Sequence, residues 1–282
     1  MNRLSGRVAL GLALLVGAAA VGCEINPTAA SPASLTYTED AHKAYLEALE
    51  AFEDRNWEDA RALFTEVRKI FAASPYAKLA ELRGADCDFE QGKYKEAIAG
   101  YRGYVRGHRG DPNIEYARYR TTKALFLDIS DSVFQPSAEE RDQGNTEDAY
   151  HELLSFKKRY PRSSYRVDAE YMLEVVTQRL VRHQLYVARY YLGSGDFEAT
   201  VARCDYALQK FPGSGLDAEA LVLKGETLLK LKKRDEARKA FEVVVRDHGG
   251  AFGQVAKRFL DQMASAAAEP APAEPAPAEP AP

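Results

Sequence analysis

The sequence predicts an all-α fold, an α-solenoid of five helical hairpins in series with an extended central helix. Three observations carry this. Helical apolar periodicity alternates with short breaks from about residue 39 to Ala264, with no convincing strand run. The breaks recur with similar composition. One helical pattern, following Tyr160-Pro161-Arg162-Ser163-Ser164-Tyr165, runs unbroken for close to 30 residues before Gly193-Ser194-Gly195 ends it.

The recurring breaks are Asn56-Trp57-Glu58-Asp59-Ala60, Gly92-Lys93-Tyr94-Lys95-Glu96-Ala97, Asn145-Thr146-Glu147-Asp148-Ala149, Gly195-Asp196-Phe197-Glu198-Ala199 and Lys233-Arg234-Asp235-Glu236-Ala237. Each supplies a turn or N-cap residue, acids for the first helical turn and then a small residue. Ser74-Pro75, Asp111-Pro112, Tyr160-Pro161 and Phe211-Pro212 close the units, because proline cannot continue a helix. This resembles the tetratricopeptide repeat (TPR), whose period is about 34 residues. The spacing is uneven: 37 residues from Ala60 to Ala97, 52 to Ala149, 51 to Thr200 and 37 to Ala237. An insertion around Ser130 to Gly144 accounts for the first long interval, and Glu139-Glu140-Arg141-Asp142 within it reads as solvated surface. The long helix accounts for the second. Its predicted buried stripe is Ala169, Met172, Leu173, Val176, Leu180, Val187 and Tyr191, and Ser163 or Ser164 is expected to cap its start.

Residues 1–22 read as a signal peptide, with Arg3 and Arg7 ahead of a short apolar run from Val8 to Val21. Ala20-Val21-Gly22-Cys23 resembles a bacterial lipobox, although Leu is commoner than Ala at the first position. That resemblance implies cleavage before Cys23 and a covalent diacylglycerol and acyl (palmitate) anchor on it, and Glu24 then favours the outer membrane. More than one acyl chain gives stable anchoring. Residues 23–38 are expected to be a lipidated tether, reaching about 45 Å if fully extended at ~3.3 Å per residue. The solenoid is expected over residues 39–264, split into N-terminal repeats at 39–161 and C-terminal repeats at 162–264. The Glu-Pro-Ala repeat of residues 265–282 reads as a polyproline II-like tail of roughly 40 Å at ~3.1 Å per residue.

Composition narrows the function. Without Arg3 and Arg7 the chain carries 36 basic and 42 acidic side chains, a net −6 that does not suggest a nucleic-acid binder. Five scattered histidines show no metal-ligand spacing, and no phosphate-binding or dinucleotide loop is present, so neither enzyme, cofactor nor metal is expected. Cys87 and Cys204 fall in distant repeats and read as buried free thiols. A solenoid binds partners along its concave surface, lined mainly by the first helix of each pair. In the first three repeats that side is predicted to show Tyr45, Leu49, Phe52, Leu82, Phe89, Tyr116, Tyr119 and Phe126, a groove for a peptide with aromatic side chains unless these pack as core. Arg203 lies off the predicted buried stripe of Phe197, Thr200, Cys204 and Ala207, so it can point outward as an anchor for a partner carboxylate.

Asp111-Pro112-Asn113-Ile114-Glu115-Tyr116, Tyr160-Pro161-Arg162-Ser163-Ser164-Tyr165 and Val187-Ala188-Arg189-Tyr190-Tyr191 together resemble the BamD (YfiO) family over about residues 35–250. The resemblance implies a non-enzymatic TPR lipoprotein of the outer-membrane β-barrel assembly (BAM) machine, on the periplasmic face of the outer membrane. It implies that the C-terminal repeats bind the POTRA region of the barrel protein BamA, with Arg203 at the contact. It also implies that the N-terminal repeats receive unfolded outer-membrane proteins by an aromatic-ended C-terminal signal. The substrate-binding tyrosine of the family falls on Phe71, which keeps the ring and loses the hydroxyl. Other lipoproteins of the machine are implied as neighbours. Two other readings stand beside this one: a pilotin-type TPR lipoprotein for a secretin or pilus system, and a coordinator of cell-wall synthesis.

Overall fold

The computed structural model describes residues 32–129, 137 and 139–268. Cys23, the signal segment and residues 269–282 lie outside the described residues. Eleven helices occupy the described residues in the order α1 (Pro32–Glu53), α2 (Trp57–Ile70), α3 (Pro75–Glu90), α4 (Tyr94–Gly107), α5 (Ile114–Asp128), α6 (Gly144–Arg159), α7 (Arg166–Ser194), α8 (Phe197–Lys210), α9 (Asp217–Lys230), α10 (Arg234–Asp247) and α11 (Gly250–Ala268). Each helix packs on its successor, which makes five antiparallel pairs closed by α11. Among the described residues there is no strand, and no helix is long and apolar enough to cross a membrane.

Four of the five turns within the pairs share one backbone device. At the α1–α2 turn the Asn56 N–H bonds the Ala51 carbonyl at 2.9 Å and the Arg55 N–H bonds Phe52 O at 3.1 Å. The same two bonds recur from Lys93 to Asp88 and Gly92 to Phe89, from Asp196 to Tyr191 and Gly195 to Leu192, and from Lys233 to Leu228 and Lys232 to Leu229. This is the Schellman termination, which needs a left-handed residue at its second-to-last position. Glycine supplies it at Gly92 (φ 72°) and Gly195 (φ 83°), but Arg55 (φ 62°) and Lys232 (φ 61°) adopt it with a Cβ present. A left-handed L-residue costs about 1–2 kcal/mol, partly offset by the extra freedom glycine has when unfolded. Arg55→Gly is therefore expected to stabilise the chain by about 0.5–1 kcal/mol, read as a raised midpoint in urea unfolding. The predicted side-chain caps form at some of these turns and not at others. Asn56 and Lys93 make no cap bond, whereas Asp196 Oδ1 accepts from Ala199 N at 3.0 Å.

Helix α7 spans 29 residues and ends on left-handed Gly195, as its sequence predicts. It packs on α5 as well as on α6 and α8, so one rod ties the third helical pair to the fourth. Four features differ from expectation. The buried stripe follows Ala169, Met172, Val176 and Leu180 but then rotates to Val181, Gln184, Leu185 and Ala188, leaving Val187 and Tyr191 only half-buried. The stripe rotates because the first half of the rod faces α6 and the second half faces α8. Ser163 does not cap the helix directly: its Oγ accepts from Tyr165 N at 3.1 Å, before the first turn. The solenoid begins seven residues before the expected boundary, because Pro32 fits a first helical position and Tyr37 of α1 sets its ring edge-on to Phe71 at 5.3 Å. The described part of the insertion is not simply solvated, since the Glu139 carbonyl accepts from His183 Nδ1 at 2.6 Å and Tyr186 donates to Glu140 at 3.1 Å.

Three apolar clusters run along the fold: one over α1–α3, a large one from α3 to α9, and one at α8–α11. Cys87 and Cys204 are free and fully buried, and burial pushes both thiols up to about 12. Asp111 locks the α4–α5 junction. It accepts from Lys78 Nζ at 2.8 Å, Tyr104 OH at 2.8 Å and Asn113 N at 2.9 Å. Burial alone would raise its pKa, yet these donors hold it well below the usual carboxylate range. A depressed carboxylate contributes stability above its unfolded pKa of about 3.9 and loses that contribution as pH falls towards the folded value. Asp111→Asn is thus expected to cost stability at pH 7, with the gap to wild type in urea midpoint narrowing progressively as pH falls below about 4.

Candidate partner-binding surfaces

Helix α3 lies between α2 and α4 and is buried on most sides, which places Ala85, Asp86, Cys87, Asp88 and Phe89 all inside. A carboxylate so placed needs donors from its neighbours, and Asp86 (1% exposed) has four. Tyr101 OH donates at 2.5 Å, Tyr116 OH at 2.9 Å and Arg83 Nη1 at 2.8 Å, while Arg120 Nε lies at 3.5 Å. Arg120 also donates to Tyr101 OH at 3.1 Å and Glu90 at 2.8 Å, with its guanidinium carbon 3.7 Å from the centre of the Phe89 ring. Burial opposes the charge on Arg83 and Arg120, but the carboxylate and phenol neighbours overcome it and both pKa values lie above normal. Burial, then Asp86, raises those of Tyr101 and Tyr116. Arg83, with its side chain 37% exposed, carries this network to the surface.

The predicted aromatic groove is largely closed. Tyr45, Leu82, Phe89 and Tyr119 are buried in the core, so they cannot line an open channel. Tyr45 packs against Phe64 and Tyr76, and Tyr119 stacks on Tyr165 at 4.1 Å between ring centres. Leu49, Phe52, Phe71, Tyr116 and Phe126 are half-buried, with Phe52 edge-on to Trp57. The first three repeats present half-buried rings at separate places: Phe52 against Trp57 at the α1–α2 turn, Phe71 against Tyr37 at the other end of that pair, and Tyr116 with the Arg83 guanidinium carbon 6.0 Å from its ring centre. Tyr37, edge-on to Phe71, donates its OH to the Ile70 carbonyl at 3.3 Å. Sequence reasoning missed Asp86, Arg83 and Arg120. The available signal was an acid on each side of Cys87 in a helix with no polar face.

In the C-terminal half, Arg203 is half-buried and does not project freely. Its Nη1 donates to Gln184 Oε1 of α7 at 3.2 Å. Gln184 is itself buried, so the pair fixes the guanidinium at the α7–α8 seam. Around it the surface is polar and aromatic: Arg189 pairs with Glu219, Lys224 with Asp205 at 2.6 Å, and the Tyr190 ring stands 69% exposed. Tyr190 and Arg189 come from the 187–191 segment. Tyr160 and Tyr165, from the 160–165 segment, pack on Phe156 and Tyr119 where α5, α6 and α7 meet. Among the described residues no group of three or more His, Cys, Asp or Glu could hold a metal ion.

The chain is 26% identical over 236 residues to the outer membrane protein assembly factor BamD of Caulobacter vibrioides, covering 83% of this chain and 74% of that protein. It is 25% identical over 236 residues to BamD of Neisseria gonorrhoeae, covering 83% and 86%. With BamD of Xylella fastidiosa strain 9a5c it shares 24% over 201 residues, covering 68% of each. The model of the YfiO family, described as outer membrane lipoprotein, matches residues 38–243, and the chain therefore belongs to the BamD (YfiO) family.

Proposed function

We propose that this protein is a non-enzymatic assembly factor for outer-membrane β-barrel proteins, anchored at the periplasmic face of the outer membrane by acyl chains on Cys23. The observation that carries the reading is the extent of the match, 83% of the chain aligned to proteins named as BamD. The C-terminal repeats bind the POTRA region of a BamA-like barrel protein, with the guanidinium of Arg203, held by Gln184, presented to a partner carboxylate. The N-terminal repeats receive unfolded barrel proteins through the half-buried rings of Phe52, Phe71 and Tyr116, with Arg83 offering a cation beside the Tyr116 ring. A cation next to half-buried aromatics suits a chain end that carries both a carboxylate and an aromatic side chain.

Depletion of the protein in its own cell tests this. The amount of heat-modifiable, folded β-barrel protein in the outer membrane is expected to fall several-fold, with unfolded precursors accumulating in the periplasm. Unchanged barrels together with a secretin that no longer multimerises would support a pilotin role instead. Unchanged barrels with defective cell-wall synthesis would support the third reading.

A further inference from the structure

Between the α9–α10 turn and α11 lies a cleft of about 480 Å³ lined by Leu229, Lys232, Arg234, Phe259, Gln262 and Met263. Its floor is apolar, with Met263 buried and the Phe259 ring stacked on Phe241 at 4.8 Å. Its rim is cationic. Lys232 and Arg234 line it and Lys233 adjoins them in the chain, all three are exposed, Arg234 spends one donor on the Met263 carbonyl at 3.2 Å, and the lining holds no carboxylate. Met263 lies one turn and a half before the end of α11 at Ala268. The chain then continues with Glu269, Glu274 and Glu279, separated by Pro and Ala only. An apolar, ring-bearing floor with a cationic rim complements a segment of prolines and evenly spaced glutamates, since proline-rich chains dock on aromatic surfaces.

We propose that the C-terminal segment 269–282 folds back and occupies this cleft, with prolines on Phe259 and Leu229 and glutamates on Lys232 and Lys233. Reach is sufficient: the segment spans about 40 Å at ~3.1 Å per residue, whereas the return along α11 to Phe259 is about 14 Å at ~1.5 Å per residue. The occupant is tethered beside its site, so a weak interaction suffices to hold it. It would cover the apolar surface that the last repeat of a solenoid otherwise exposes. This inference does not depend on the assembly-factor reading.

The test uses the full-length chain with a benzophenone amino acid at Ala273. Illumination is expected to crosslink it, within one molecule, to peptides containing residues 229–234 or 259–263. Reversing the rim, Lys232→Glu with Lys233→Glu, is expected to lower that yield at least fivefold without loss of helical circular dichroism. Adding Glu269→Lys, Glu274→Lys and Glu279→Lys to that variant is expected to restore it. Crosslinks scattered over the solenoid, crosslinks between isotopically distinct molecules in a mixture, or a yield indifferent to both reversals would each overturn the proposal.

Discussion

Replacing Asp86 with alanine is expected to destabilise the protein by about 3–5 kcal/mol, the cost of removing one partner from a buried ionic network. The carboxylate is 1% exposed and joins Tyr101, Tyr116, Arg83 and Arg120. Without it the Arg120 guanidinium keeps Glu90 and the Phe89 ring, but two phenols and one face of each arginine lose their acceptor. In thermal unfolding the melting temperature should fall by on the order of 10 °C, given about 2–4 °C per kcal/mol at this size. Tyr101→Phe and Tyr116→Phe remove one donor each and should cost less, about 1–2 kcal/mol. A loss below 1 kcal/mol for Asp86→Ala would show that water replaces the carboxylate and that the network does not organise α3, α4 and α5.

Gly225→Ala is the second large effect. An added Cβ would sit 2.6 Å from both Cε1 and Cζ of Phe241, closer than any real contact. Phe241 is fully buried and stacked on Phe259 of α11, so its ring cannot swing aside without displacing the closing helix. Alanine gains about 1 kcal/mol of helix propensity over glycine, yet overpacking of this kind costs about 1–3 kcal/mol and local backbone shifts add to it. A net loss of about 1–2 kcal/mol is expected in urea unfolding. The double variant with Phe241→Leu should lose less than the sum of the two single variants, because the smaller side chain relieves the overlap. Strict additivity would contradict the close approach.

Much of the architecture was legible because each repeat announces its own turn. Trp57, Tyr94 and Phe197 open their helices where the breaks place them, and the 29-residue rod of α7 ends where Gly195 permits a left-handed backbone. Turn position was readable, but not how each turn closes. Arg55 and Lys232 fill a glycine position, and no local pattern marks a positive φ in a charged residue. The candidate site was less legible, for a reason specific to solenoids. A first helix of a pair is covered on several sides, so Tyr45, Phe89 and Tyr119 have the spacing of a groove and the burial of a core. Periodicity ranks faces by hydrophobicity and gives no sign that Asp86 would gather two arginines from helices α3 and α5. The spacing of α8 sets Arg203 off the stripe of Thr200, Cys204 and Ala207, but its bond to Gln184, 19 residues away, is a tertiary fact.

Affinity purification of the full-length protein from detergent-solubilised envelopes, wild type beside Arg203→Glu, tests the central claim most directly. The account predicts that wild type brings down a POTRA-barrel protein and that the charge reversal lowers its recovery at least tenfold, about 1.4 kcal/mol or more of binding free energy. Recovery of a secretin or a cell-wall synthase with no barrel protein would contradict it.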